Sequence, residues 1–87
     1  MSLAESLSGA KIIRADKERG LFLAWFGGHG LHAYDAQGQE VAFWNIGDSA
    51  TDDASEADVL DDMEEKIQTG KYPWAYDEWW EKYPWTN

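Results

Sequence analysis

Eighty-seven residues carrying a net charge of −10 and no cysteine allow one folded unit and exclude disulfides and thiolate metal sites. A chain this short buries only about 60–65% of its unfolded surface, too little to divide between two cores. Seven basic residues against seventeen acids repel phosphate backbones and anionic head groups, so no direct contact with nucleic acid or with a membrane surface is expected.

Residues 1–9, MSLAESLSG, lack a basic stretch followed by a long apolar run and read as a disordered or tag-like extension, with a cytoplasmic location expected. Residues 10–46 read as a β-meander. Ile12 and Ile13 mark a strand over Lys11 to Arg14, "ADKERG" is a polar turn ending in Gly20, and "LFLAWF" continues from Leu21 to Phe26. Gly27 and Gly28 signal a two-residue hairpin, because type I′ and II′ turns need positive φ. A weaker strand from His29 to Tyr34 follows, then a turn with Asp35 and Gly38, then "EVAFWNI" from Glu40 to Ile46. Leu21, Leu23 and Trp25 alternate with Phe22, Ala24 and Phe26, so both faces of the sheet are apolar and both require cover.

Residues 55–69 form the first candidate cover. Ser55 is placed to cap a helix, with Asp58 at the third helical position and Gly70 as its stop. Leu60, Met63 and Ile67 make an apolar stripe with Val59 at its edge. Asp58, Asp61, Asp62 and Glu65 recur at i, i+3, i+4 and i+7 on the opposite side, forming an acidic face. The tetrapeptide KYPW occurs at Lys71–Trp74 and again at Lys82–Trp85. Proline suits a first helical turn and disfavours helix at the residue before it, so the two copies are expected to bracket a short helix over 73–83. Tyr76, Trp79, Trp80 and Tyr83 would share its face, with Asp77, Glu78 and Glu81 opposite. About ten residues are marginal as an isolated helix, so this aromatic stripe must pack against the sheet, another chain or a ligand.

Chemical motifs are sparse. His29 and His32 have odd spacing, which on a strand sends them to opposite faces, and no further histidine completes a metal site. "GGHG" precedes a strand, where a dinucleotide fingerprint would require a helix. Residues 48–65 hold nine acids, but their spacing fails the calcium-loop pattern from Asp48 onward. No metal, cofactor or catalytic residue is expected.

The expected architecture is α+β: a four-stranded antiparallel meander packed by one acidic amphipathic helix and a short C-terminal aromatic helix. The expected function is non-catalytic binding of a protein partner or of a second copy as a homodimer, with Tyr76, Trp79, Trp80 and Tyr83 as the contact residues. The alternative is an acidic decoy in which Asp58, Asp61, Asp62 and Glu65 mimic phosphates and inhibit a DNA- or RNA-binding protein, in the manner of small inhibitors encoded by phages or mobile elements.

Overall fold

The computed structural model describes residues 2–46 and 55–75. Its elements in chain order are α1 (Leu3–Leu7), β1 (Ile12–Asp16), β2 (Leu21–Trp25), β3 (Gly30–Tyr34), β4 (Glu40–Asn45) and α2 (Glu56–Thr69). The strands form one sheet in the order β1-β2-β3-β4, with every neighbouring pair antiparallel. The class is α+β, and the meander is the one that the alternation of apolar residues and turn signals implies.

Register separates the two faces. Leu23 lies opposite Arg14 on β1 and Ala33 on β3, while Ala33 in turn faces Ala42 on β4. The apolar residues of this layer, with Leu21, Trp25, Leu31 and Trp44, pack against Val59 and Met63 of α2 and form the core. Between Ala33 and Tyr34 the β3–β4 register shifts, so that Tyr34 faces Glu40 and Val41 becomes an extra residue. Val41 is fully buried and joins the same core. The β2–β3 connection spans residues 26–29, longer than the two-residue turn implied by Gly27–Gly28. The Trp25 indole closes it by donating to the Gly28 carbonyl at 2.8 Å.

Helix α2 begins and ends where its caps dictate. The Ser55 side chain accepts from the Asp58 amide, and Gly70 takes the left-handed conformation at φ 70°. Its rotation differs from the expected one. Val59 and Met63 are the fully buried pair, while Leu60 and Ile67 are half-buried.

Two further expectations are corrected. Leu3–Leu7 is a helix and not a disordered extension: Ser2 and Glu5 form a reciprocal capping box, and the Ser6 hydroxyl donates to the Gly38 carbonyl in the β3–β4 turn. Residues 73–75, read as the first turn of a helix, instead extend the sheet beside β4. Trp74 bridges to Ala42, the Phe43 amide donates to the Pro73 carbonyl at 3.2 Å, and the Ala75 amide donates to the Val41 carbonyl at 2.8 Å. Proline tolerates this edge position because its carbonyl alone is needed. The remainder of that expected helix, residues 76–83, lies outside the described residues.

Candidate functional site

The sheet face turned away from α2 carries Ile13, Phe22, His32, Tyr34 and Phe43, as the register requires: Phe22 faces Tyr34, and His32 faces Ala24 and Phe43. His32 is the centre of this layer. Its ring stacks on Tyr34 at 6.2 Å between centroids, meets Phe26 edge-on at 5.5 Å and leans on Phe43 at 5.2 Å. The Nδ1 atom lies 3.2 Å from a carboxylate oxygen of Glu40, which the register shift brings opposite Tyr34. Burial first, and then the nearby Glu40 carboxylate, push the Tyr34 phenol above its ordinary range. Phe43 packs over Gly30, where a side chain would crowd its ring. Even so, Phe43 remains 43% exposed, and Ile13 at the opposite edge of the same face 46%. A layer of rings held by its own contacts and open outward is suited to burying apolar surface of another molecule.

The acidic face of α2 is on the opposite side of the molecule, and Glu65 on it lies 3.7 Å from the Lys66 ammonium. Asp58, Asp61 and Glu65 are exposed. Asp62 turns toward the sheet instead, where it accepts a hydrogen bond from the Trp44 indole and lies 3.4 Å from the Lys66 ammonium. Lys66 also sits over the Trp44 ring, 5.5 Å from its centroid. One of the four expected decoy carboxylates is therefore a structural anchor.

A buried polar node fixes the far end of α2. Asp16, 1% exposed, accepts from Arg19 Nη1 at 2.9 Å and from the Tyr72 hydroxyl at 2.7 Å. The same Nη1 donates to the Ile67 carbonyl at 2.9 Å, tying the β1–β2 turn to the last turn of the helix. Desolvation, reinforced by the hydrogen bond and charge of Asp16, pushes the Tyr72 phenol far above its ordinary range, against a smaller opposing effect of Arg19. With the Asp16 carboxylate and the Tyr72 hydroxyl engaged with each other and with Arg19, this node is scaffold rather than a binding site.

His29 lies in the β2–β3 connection and His32 on β3, and among the described residues no group of three or more His, Cys, Asp or Glu side chains is placed to hold a metal ion. The contact residues nominated by sequence, Tyr76, Trp79, Trp80 and Tyr83, lie outside the described residues. The open face was visible in the sequence as alternation on both sides of β2, but which side would stay open was not. Comparison with protein-family models, with curated proteins and with solved structures finds no match to this chain.

Proposed function

We propose that this chain is a non-catalytic protein-binding domain that uses the open aromatic face of its sheet, with the cytoplasm as its setting. The observation that carries the reading is the exposure of Phe43 and Ile13 at the two sides of the His32-centred layer. Interface centres combine aromatic residues with scarce charge. Among the strand residues the only acids are Asp16, buried on the α2 side, and Glu40, engaged with His32. Tyr76, Trp79, Trp80 and Tyr83, which the sequence nominates for apolar contact, follow directly on Ala75, whose amide is bonded to β4. The described residues contain no helix long and apolar enough to cross a membrane.

The occupant to which this charge distribution points is a second copy of the chain. Two open faces can meet around a two-fold axis. Sheets packed face to face lie roughly 10 Å apart, and a helix layer lies roughly 10 Å behind each sheet. The two acidic α2 faces would then be about 30 Å or more apart, several times the screening length of about 8 Å at physiological salt. Four strands about 4.8 Å apart and five residues about 3.3 Å each present roughly 300 Å² of flat face. That is small, so the association is weak and concentration-dependent. Sedimentation velocity over a wide concentration range tests this: wild type should shift to dimer as concentration rises, and Phe43→Asp should remain monomeric. A wild type that stays monomeric throughout, or a Phe43→Asp variant that dimerises equally, would sink the reading.

The second reading is the acidic decoy, now carried by Asp58, Asp61 and Glu65, which are exposed on successive turns of α2 on the side away from the aromatic face. Carboxylates about 5–6 Å apart along a helix approximate phosphate spacing. The readings separate by salt: apolar contact persists as ionic strength rises, whereas a decoy complex is released.

A further inference from the structure

The chain leaves the described residues at a fixed point and in a fixed direction. The Phe43 amide donates to the Pro73 carbonyl and the Ala75 amide to the Val41 carbonyl, so residues 73–75 run antiparallel to β4, from Phe43 toward Glu40. Trp74 lies opposite Ala42, on the α2 side of the sheet, where its ring meets Tyr72 at 5.4 Å between centroids. Side chains alternate along an extended segment, so Ala75, which is exposed, belongs to the other side, that of Phe43, His32 and Tyr34. The segment beyond it therefore starts at the corner of the aromatic face where Glu40 pairs with Tyr34.

The residues that follow have the chemistry of a cover for that face. Tyr76, Trp79, Trp80 and Tyr83 supply four rings within eight positions, with Asp77, Glu78 and Glu81 between them. At helical spacing the rings form one stripe and the acids the opposite one. Eight residues span about 12 Å as a helix and about 26 Å extended, while four strands of five residues present a face of about 19 by 16 Å. The rings reach the face in either conformation, with no linker needed. Charge permits the contact as well: Glu40, the acid on this face, is already engaged by His32 at 3.2 Å. Tethering favours it further. A segment joined to the sheet at Ala75 meets its own face at an effective concentration in the millimolar range, far above that of a second copy in dilute solution.

We propose that the segment from Tyr76 to Tyr83 packs its rings over Phe43, His32 and Tyr34 of its own sheet, and so limits self-association by occupying the surface that a second copy would use. The regulatory part of this inference rests on the reading of that face as the contact surface. Two copies can then meet only after each has released its own segment. A covered state favoured about threefold leaves about a quarter of the molecules competent, and the requirement on both copies weakens the dimer about sixteenfold. The aromatic stripe thus acts as a built-in competitor, and its acids, turned outward, keep the covered face from adhering to other acidic surfaces.

The test uses the full-length, isotope-labelled protein at a concentration where sedimentation shows monomer. Nuclear Overhauser contacts are expected from the Trp79 or Trp80 indole to the rings of Phe43, His32 or Tyr34, with relative intensities unchanged on dilution, and they should vanish in Phe43→Asp. The double variant Trp79→Ser with Trp80→Ser, its fold checked by thermal unfolding, should dimerise roughly tenfold more tightly in sedimentation velocity. Contacts in the monomer together with no dimer at any concentration would support the covered face and remove the dimer reading. A dimer formed without those contacts in the monomer would overturn this proposal alone. Contacts that grow with the dimer fraction, which place the segment on the second copy, would overturn it too, as would an unchanged or weakened dimer in the folded double variant.

Discussion

The hydroxyl of Tyr72 donates to the Asp16 carboxylate at 2.7 Å, joining residues 56 positions apart in a site with almost no exposure to solvent. The first KYPW copy is therefore anchored twice: Tyr72 bonds to Asp16 at the end of β1, and Pro73, with Ala75 just beyond the copy, bonds to β4. The same carboxylate neutralises Arg19, whose side chain is 9% exposed.

Removing this carboxylate should cost far more than removing the hydroxyl. Asp16→Ala leaves Arg19 buried without its counter-charge, which typically destabilises by about 3–5 kcal/mol. Tyr72→Phe removes one donor from a carboxylate that retains Arg19, at about 1–2 kcal/mol. Urea unfolding of both variants checks the order; equal losses would mean that Arg19 finds solvent or another partner.

Alkaline pH should unlock the same node. The Tyr72 phenol is raised in the folded state, above the value of 10.0 for the free group, so the folded protein holds this proton more tightly than the unfolded chain. Its contribution is complete below the unfolded value and is lost as pH rises above it toward the folded one. Stability measured from neutral pH to strongly alkaline pH should fall more steeply for wild type than for Tyr72→Phe once the free phenol range is passed. Parallel curves would remove the linkage.

Two glycines with nearly the same backbone angle should respond differently to alanine. Gly20, at φ 69°, faces open space, so Gly20→Ala should cost only the left-handed conformation, about 1–2 kcal/mol. Gly70, at φ 70°, has the Arg19 guanidinium where a Cβ would lie. Gly70→Ala must in addition displace Arg19 from Asp16 and Ile67, and should lower the thermal midpoint clearly more than Gly20→Ala.

Neutralising the acidic face should also divide the four carboxylates. Asp58→Asn, Asp61→Asn and Glu65→Gln alter exposed groups and should change stability by no more than about 0.5 kcal/mol. Asp62→Asn weakens the charge-assisted bond from the Trp44 indole and the pairing with Lys66, and should cost about 1–2 kcal/mol. A decoy assay is therefore interpretable only with Asp62 intact, and thermal unfolding of the four single variants checks the division.

The elements set by local chemistry could be read from the sequence alone. The boundaries of α2 follow from Ser55 and Gly70, and the meander follows from apolar alternation interrupted by Gly20, Gly27 and Gly38, all at positive φ. The helix at Leu3–Leu7 was equally legible, because Ser2 and Glu5 spell a capping box, but its shortness hid it among polar residues. Where two local solutions were equally good, only packing could choose. Both faces of β2 are apolar, so burial beneath α2 and not residue type selected Leu21, Leu23 and Trp25 as core, and among the described residues no helix covers the side with His32 and Phe43. The stripe of α2 tolerates several rotations, and anchoring Asp62 at Trp44 goes with the one that buries Val59 and Met63. Pro73 fits a helix start or a sheet edge alike; the amide of Phe43, which needs an acceptor, is met by its carbonyl at the edge of β4. Local propensity is a property of a few neighbouring residues, whereas the choice of face, rotation and edge depends on groups that meet only when the chain has closed on itself.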